Sequence, residues 1–125
     1  MNTIKCRALG RDTNEWYYGY YIGEPFEPTI YEVDDKVAYV KPETVCMTTG
    51  LTAKDNQEVY EHDLWRHDEN GLLYEVRWTP KQAKFELVYV DSPVHTVQHF
   101  INLWSLKQGT IVGNRFDNPE LLNAN

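Results

Sequence analysis

A chain of 125 residues is the size of one domain, long enough for a single apolar core and too short for two. Its 42% hydrophobic and 14% aromatic content, with nine Tyr and four Trp, excludes a disordered chain. A formal net charge of −7 sets it apart from general nucleic-acid binders, whose affinity comes from Lys and Arg displacing condensed counterions.

At the N-terminus, MNTIKCRALG holds no apolar stretch of signal-peptide length, and no later segment approaches the roughly 20 apolar residues of a membrane span. A cytoplasmic location is the expectation. Short β-rich runs follow, set off by turn residues: Ile4 to Leu9, Glu15 to Ile22, Thr29 to Val33 and Lys36 to Val40. The segment Glu24-Pro25-Phe26-Glu27-Pro28, with two prolines, is a loop. Leu64 to His67, Leu72 to Trp78 and Lys84 to Val90 continue the pattern. Between them, Asp68-Glu69-Asn70-Gly71 reads as a hairpin turn whose Asn-Gly takes two positive-φ positions. Thr79-Pro80-Lys81-Gln82-Ala83 reads as another, because its proline cannot donate to a ladder. These runs predict a mainly β fold, one domain over 1–125, with no linker and no repeats.

Beyond Ser92 the period changes. Ser92-Pro93 has the form of an N-cap and a first helical residue, and Val94, Val97, Ile101 and Trp104 share one helical face. A short helix is the reading preferred; a strand is its rival, since His95, Val97, His99, Ile101 and Leu103 also alternate. Gly109 to Val112 is a further strand. In Asn118-Pro119-Glu120-Leu121-Leu122 the Asn caps and the Pro starts a last helical turn, after which Asn123 to Asn125 fray.

The stretch VYEHDLWRHDE at 59–69 has the composition of a metal or acid-base site. On a strand, however, Glu61, Asp63, Trp65 and His67 share one face while Tyr60, His62, Leu64 and Arg66 share the other, so the two histidines diverge. A solvated, partly paired polar face is expected, with Trp65 packing inward. His95 and His99 have the i, i+4 spacing of two zinc ligands on a helix, but Thr96 stands where the zinc hydrolases need a glutamate base. There is no GxSxG elbow and no phosphate-cradling glycine loop, and the lone Cys6 and Cys46 form no CxxC pair. The cysteines are expected as buried free thiols, with no catalytic residue and no cofactor. The aromatic run remains: Trp16, Tyr18 and Tyr20 face one way on a strand and Tyr17 and Tyr21 the other, so one row can enter the core and the other can stand exposed as a binding surface.

Several stretches together resemble the YopX family, small proteins carried by phages and prophages. Lys5-Cys6-Arg7-Ala8 with Asn14-Glu15-Trp16-Tyr17-Tyr18-Gly19-Tyr20 is similar to the family's K-F-R-A opening and W-x-Y-G-Y hairpin. Pro42-Glu43-Thr44-Val45, Thr49-Gly50-Leu51 and Glu58-Val59-Tyr60-Glu61-His62-Asp63 resemble its P-E-T-V-G-Q-x-T-G-L and E-I-Y-E-G-D elements, and Val76-Arg77-Trp78 its V-R-W strand. The end, Val112-Gly113-Asn114-Arg115-Phe116-Asp117-Asn118-Pro119-Glu120-Leu121-Leu122, resembles I-G-N-I-Y-E-N-P-E-L-L. His62 and Cys46 stand where the family has Gly, and Asn56-Gln57 where it has Asn-Gly.

The resemblance implies an SH3-like β-roll, a partly open barrel with short helical insertions near the C-terminus, and no activity to carry onto residues. It also implies that Thr49, Gly50, Leu51, Tyr60, Glu61, Asp63, Asn114, Asn118 and Pro119 are structural, with Glu61 and Asp63 accepting bonds from turn N–H groups. The functional expectation is a non-enzymatic phage accessory protein that binds a protein partner, with a homo-oligomer as one form. Two alternatives accompany it. One is single-stranded nucleic-acid binding through the aromatics and Arg7, Arg66, Arg77 and Arg115, which the net charge disfavours; the other is a metal-dependent hydrolase using His62, Asp63 and His67, or His95 and His99.

Overall fold

In the computed structural model of the chain, which describes residues 5–32, 34, 36–90, 98–100 and 103–123, antiparallel strands dominate. By its contacts the chain divides into two compact units, Met1–Thr48 and Thr49–Asn125.

The first unit holds β1 (Cys6–Leu9), β2 (Trp16–Ile22), β3 (Thr29–Tyr31), β4 (Val37–Tyr39) and the start of β5 (Cys46–Thr52). Its sheet order is β4-β3-β2-β1-β5. Alternation decides the faces: Cys6, Ala8, Ile30 and Val40 form a buried cluster on which Tyr17, Tyr21 and Met47 pack. Gly19 interrupts the aromatic run for a steric reason, since a Cβ there would run into the carbonyl of Tyr31. A 3-10 turn over Pro42–Thr44 sets Thr44 Oγ1 to accept the Leu9 N–H at 2.9 Å.

In the second unit β6 (Glu58–Tyr60) lies beside β5. A five-stranded sheet follows in the order β10-β9-β8-β7-β11: β7 (Asp63–His67), β8 (Leu73–Thr79), β9 (Lys84–Tyr89), β10 (Gln98–Phe100) and β11 (Gly109–Asn114). Tyr74 and Val76 of β8 join Val59, Trp65, Leu87 and Leu106 in the core, and Trp65 Nε1 donates to the Leu106 carbonyl at 3.0 Å. The alternate positions of β8, Glu75 and Arg77, take the other face. Among the described residues no helix is long and apolar enough to cross a membrane.

The predicted strands are all present, with ends that coincide or are shifted by one or two residues, and Cys6 and Cys46 are free and buried. Three expectations need correction. Asp68-Glu69-Asn70-Gly71 is not an Asn-Gly turn with two positive φ values: Gly71 alone of the pair is left-handed, its N–H reaching back to the His67 carbonyl while Asn70 Oδ1 accepts the Leu72 N–H. Asn118 does not cap with its side chain, whose Oδ1 instead accepts the Asn114 N–H; its backbone carbonyl receives Leu121 N–H and opens the 3-10 turn Pro119–Asn123. Where a helix from Val94 to Trp104 was expected, residues 98–100 are strand, paired with β9, and the α-helix is the single turn α1 (Leu103–Leu106). Val94, His95, Val97 and Ile101 lie outside the described residues, as do Ala124 and Asn125.

Candidate functional site

β2 presents its two faces to different surroundings. Tyr17 and Tyr21 pack on the core of the first unit, while Tyr18 and Tyr20 stand outward at 40% and 46% exposure. Register carries that outward face across two hairpins. Tyr20 lies opposite Tyr31, and Tyr31 opposite Val37; Ile22 lies opposite Thr29, and Thr29 opposite Tyr39. Directly opposed residues share a face, so these six positions form two adjacent rows of three.

Five of the six are large and Thr29 is short. The missing bulk leaves a hollow of about 370 Å³, lined by Ile22, Tyr31, Val37 and Tyr39 together with Phe26 and Glu27. Thr29 is buried at its floor, its hydroxyl donating to the Glu27 carbonyl at 2.7 Å. Phe26 is 68% exposed, and among the described residues every exposed large hydrophobic except Val112 belongs to this 18–39 stretch. Arg11 closes one rim: its guanidinium lies 4.8 Å over the Tyr39 ring, with Nη1 3.5 Å from Glu27 Oε2 and Nε 3.6 Å from Asp12 Oδ2. Trp16 is occupied from within, by the Arg7 guanidinium 4.7 Å over its ring.

In the second unit the ionisable groups converge on Glu75, whose side chain is fully buried. Arg115 holds it bidentately, Nε to Oε2 at 2.7 Å and Nη2 to Oε1 at 3.1 Å; Arg77 Nε reaches Oε1 at 2.9 Å and His62 Nδ1 reaches Oε2 at 3.0 Å. Because the carboxylate only accepts, the His62 Nδ1 must carry the proton of that bond. Burial alone pushes the Glu75 carboxyl up; the bonds from His62, Arg115 and Arg77 outweigh it and bring the pKa down to about 2. Arg115 is correspondingly raised by its bond to Glu75.

His62 enters this cluster through an unusual backbone. Its φ is 71°, the left-handed region that costs a side chain roughly 1–2 kcal/mol. The conformation is pinned from both sides, His62 N–H donating to the Val76 carbonyl at 2.7 Å and its carbonyl accepting the Arg115 N–H at 3.0 Å. Asp63, 2% exposed, accepts the Tyr60 N–H on Oδ2 at 2.8 Å, as expected of a corner carboxylate. Glu61 Oε2 lies 3.6 Å from His62 Nε2. The expectation of a solvated, partly paired polar face at 60–67 is thus corrected at Asp63, which is buried, while Trp65 packs inward as expected and His62 is paired with Glu75. His67 receives the Glu69 N–H on Nδ1, so the two histidines do diverge.

A model of the family described as YopX protein matches residues 5–123. The chain belongs to the YopX family. No curated protein matches it.

The remaining motif residues of this YopX-family chain do local bonding. Thr49 Oγ1 donates to the Val59 carbonyl at 2.8 Å and accepts the Leu51 N–H at 3.1 Å, around Gly50 at φ 78°. Asn114 Oδ1 accepts the N–H groups of Phe116 and Asp117, both at 2.9 Å, which closes the turn leading to Asn118 and Pro119.

The four arginines considered as a basic patch are committed elsewhere: Arg7 is buried, Arg66 donates to the Gly71 carbonyl, and Arg77 and Arg115 hold Glu75. Among the described residues no three His, Cys, Asp or Glu side chains are placed to hold a metal ion; His95 lies outside those residues.

Sequence reasoning missed Glu75, and the signal for it was present. It is the one acid inside the otherwise apolar start of LYEVRWT, a strand position that either faces water or requires charged partners.

Proposed function

We propose that this YopX-family protein is a non-enzymatic accessory protein of a phage or prophage, a single domain over 1–125 of SH3-like roll type. It works in the cytoplasm of the bacterial host by binding a protein through the outward face of β2, β3 and β4. The observation that supports this reading is the contiguity of that face: Tyr20, Ile22, Tyr31, Val37 and Tyr39 are exposed side by side, and the last four of them line one hollow. Soluble proteins rarely leave such a patch open without a use, and tyrosines are favoured anchors because they bury much area for little lost rotamer freedom. Commitment of Arg7, Arg66, Arg77 and Arg115 within the chain weighs against the single-strand alternative, which needs them for phosphates.

The test is Tyr20→Ser combined with Tyr31→Ser. The melting temperature stays within a few degrees of the parent, as for exposed positions, while capture of the host or phage partner is lost. A large loss of stability, or capture that survives, overturns the assignment of this face. So does salt-sensitive binding of labelled single strands that the double variant abolishes, or a concentration-dependent dimer that it dissolves.

A further inference from the structure

The hollow among Phe26, Tyr31 and Tyr39 is not a plain apolar socket: Glu27 is one of its lining residues, and the Glu27 carboxylate, largely exposed, lies 3.5 Å from the Arg11 guanidinium that covers the Tyr39 ring. An aliphatic or aromatic anchor seated there would make no use of that carboxylate. A cation would meet both surroundings at once: ring faces that attract positive charge and an anion that pairs with it. The chain itself displays this preference at the rim, where Arg11 lies over the Tyr39 ring and reaches Glu27. Arg11 remains half exposed there, outside the floor at Thr29. Local charge points the same way. Glu32 and Asp12 lie beyond Tyr39 around a neighbouring hollow, and Lys36, which lines it with Arg11, lies 3.6 Å from Asp34.

We propose that this hollow is a receptor for an arginine or lysine side chain of the protein partner, held against Tyr31, Tyr39 and Phe26 and paired with Glu27, with Arg11 as a built-in competitor at its rim. The inference rests on the interaction face proposed above and adds the chemistry of what it takes. Thr29 supplies depth, since any larger residue at the centre of the two rows would fill the socket. Arg11 sets the affinity: an incoming cation must displace it from Glu27 and share Tyr39.

The experiment titrates isotope-labelled full-length protein with the blocked tripeptide acetyl-Gly-Arg-Gly-amide, with its citrulline counterpart of the same shape and no charge, and with the lysine version. The arginine peptide is expected to give saturable amide shifts at Thr29, Tyr31 and Tyr39 with a Kd on the order of 1 mM. The citrulline peptide binds about ten-fold more weakly, the difference a cation–π contact and an ion pair supply. Glu27→Gln weakens the arginine peptide by roughly five-fold, whereas Arg11→Ala strengthens it by a similar factor by removing the competitor. Equal binding of the citrulline peptide, absence of saturation, or an Arg11→Ala variant that binds no better overturns the proposal. If those arms fail while Tyr20→Ser with Tyr31→Ser still abolishes partner capture, the cation preference falls and the interaction face stands; if capture is also unaffected, both fall.

Discussion

Replacing Glu75 by Gln keeps the size and shape of the side chain and removes its charge. The amide can accept from one arginine, but its own NH₂ is turned toward donors, and Arg77 and Arg115 lose their counter-charge. Removing one partner of a buried pair typically costs about 3–5 kcal/mol; here the arginines are 38% and 39% exposed and regain water, which places the cost near the lower end, about 3 kcal/mol. Linkage through the same contacts gives a figure of the same size. A carboxyl at about 2 in the fold against an ordinary 4.5 amounts to about 3 kcal/mol favouring the ionised form. Since the folded value is depressed, that stability is present above pH 4.5 and lost as pH falls toward 2. Urea unfolding followed by tryptophan fluorescence should therefore show parent and variant about 3 kcal/mol apart at about pH 7, with the gap closing between pH 4.5 and 2. A gap under about 1 kcal/mol at neutral pH, or one that does not close in acid, refutes the reasoning.

Trp65→Phe leaves the Leu106 carbonyl without its donor and a void beside Val76 and Leu87; a loss of about 2–3 kcal/mol in denaturant unfolding is expected. Gly19→Ala drives a Cβ into the Tyr31 carbonyl and separates β2 from β3, which should lower the melting temperature by several degrees although the helix-and-strand propensity of Ala exceeds that of Gly. At position 62 the expected order of melting temperatures is His above Gly above Ala: Gly relieves the backbone but drops the Glu75 bond, and Ala drops the bond while keeping the backbone cost. An Ala variant as stable as the Gly variant would show that φ at 62 is not under strain.

The strands that alternate cleanly were legible, because burial on one face of a sheet writes period two into the sequence. β5, CMTTGLT, was not: its threonines suit either face, and Gly50 in the left-handed region breaks the alternation midway. The turn at 68–71 misled for a related reason. Asn-Gly implies a two-residue loop only if the strands close tightly, and here the His67 to Leu72 bond sets a four-residue loop with room for an ordinary Asn70. For the aromatic face, the sequence sorted Tyr18 and Tyr20 from Tyr17 and Tyr21 correctly, since that is strand geometry. It could not add Tyr31, Val37 and Tyr39, which join only through registers fixed by hairpins too irregular to read from composition, or Phe26, which joins from the loop between β2 and β3.

Position 62 shows how a departure from a family pattern carries information in two layers. Gly at that position in the resemblance signals a left-handed backbone, and the backbone is left-handed with His in place. A side chain tolerated there must be compensated, and the compensation lies thirteen residues on, in a buried carboxylate. A hydrogen bond to an ionised group contributes about 1.5–3 kcal/mol, enough to offset the roughly 1–2 kcal/mol of the backbone. Glu75 in turn stays ionised while buried only because Arg77, Arg115 and His62 reach it together. The site-like density of charge in VYEHDLWRHDE therefore has a cause for His62 and Asp63, one closing a charge cluster and the other a turn. In both cases the need is set by the backbone around β7 and does not require a reaction.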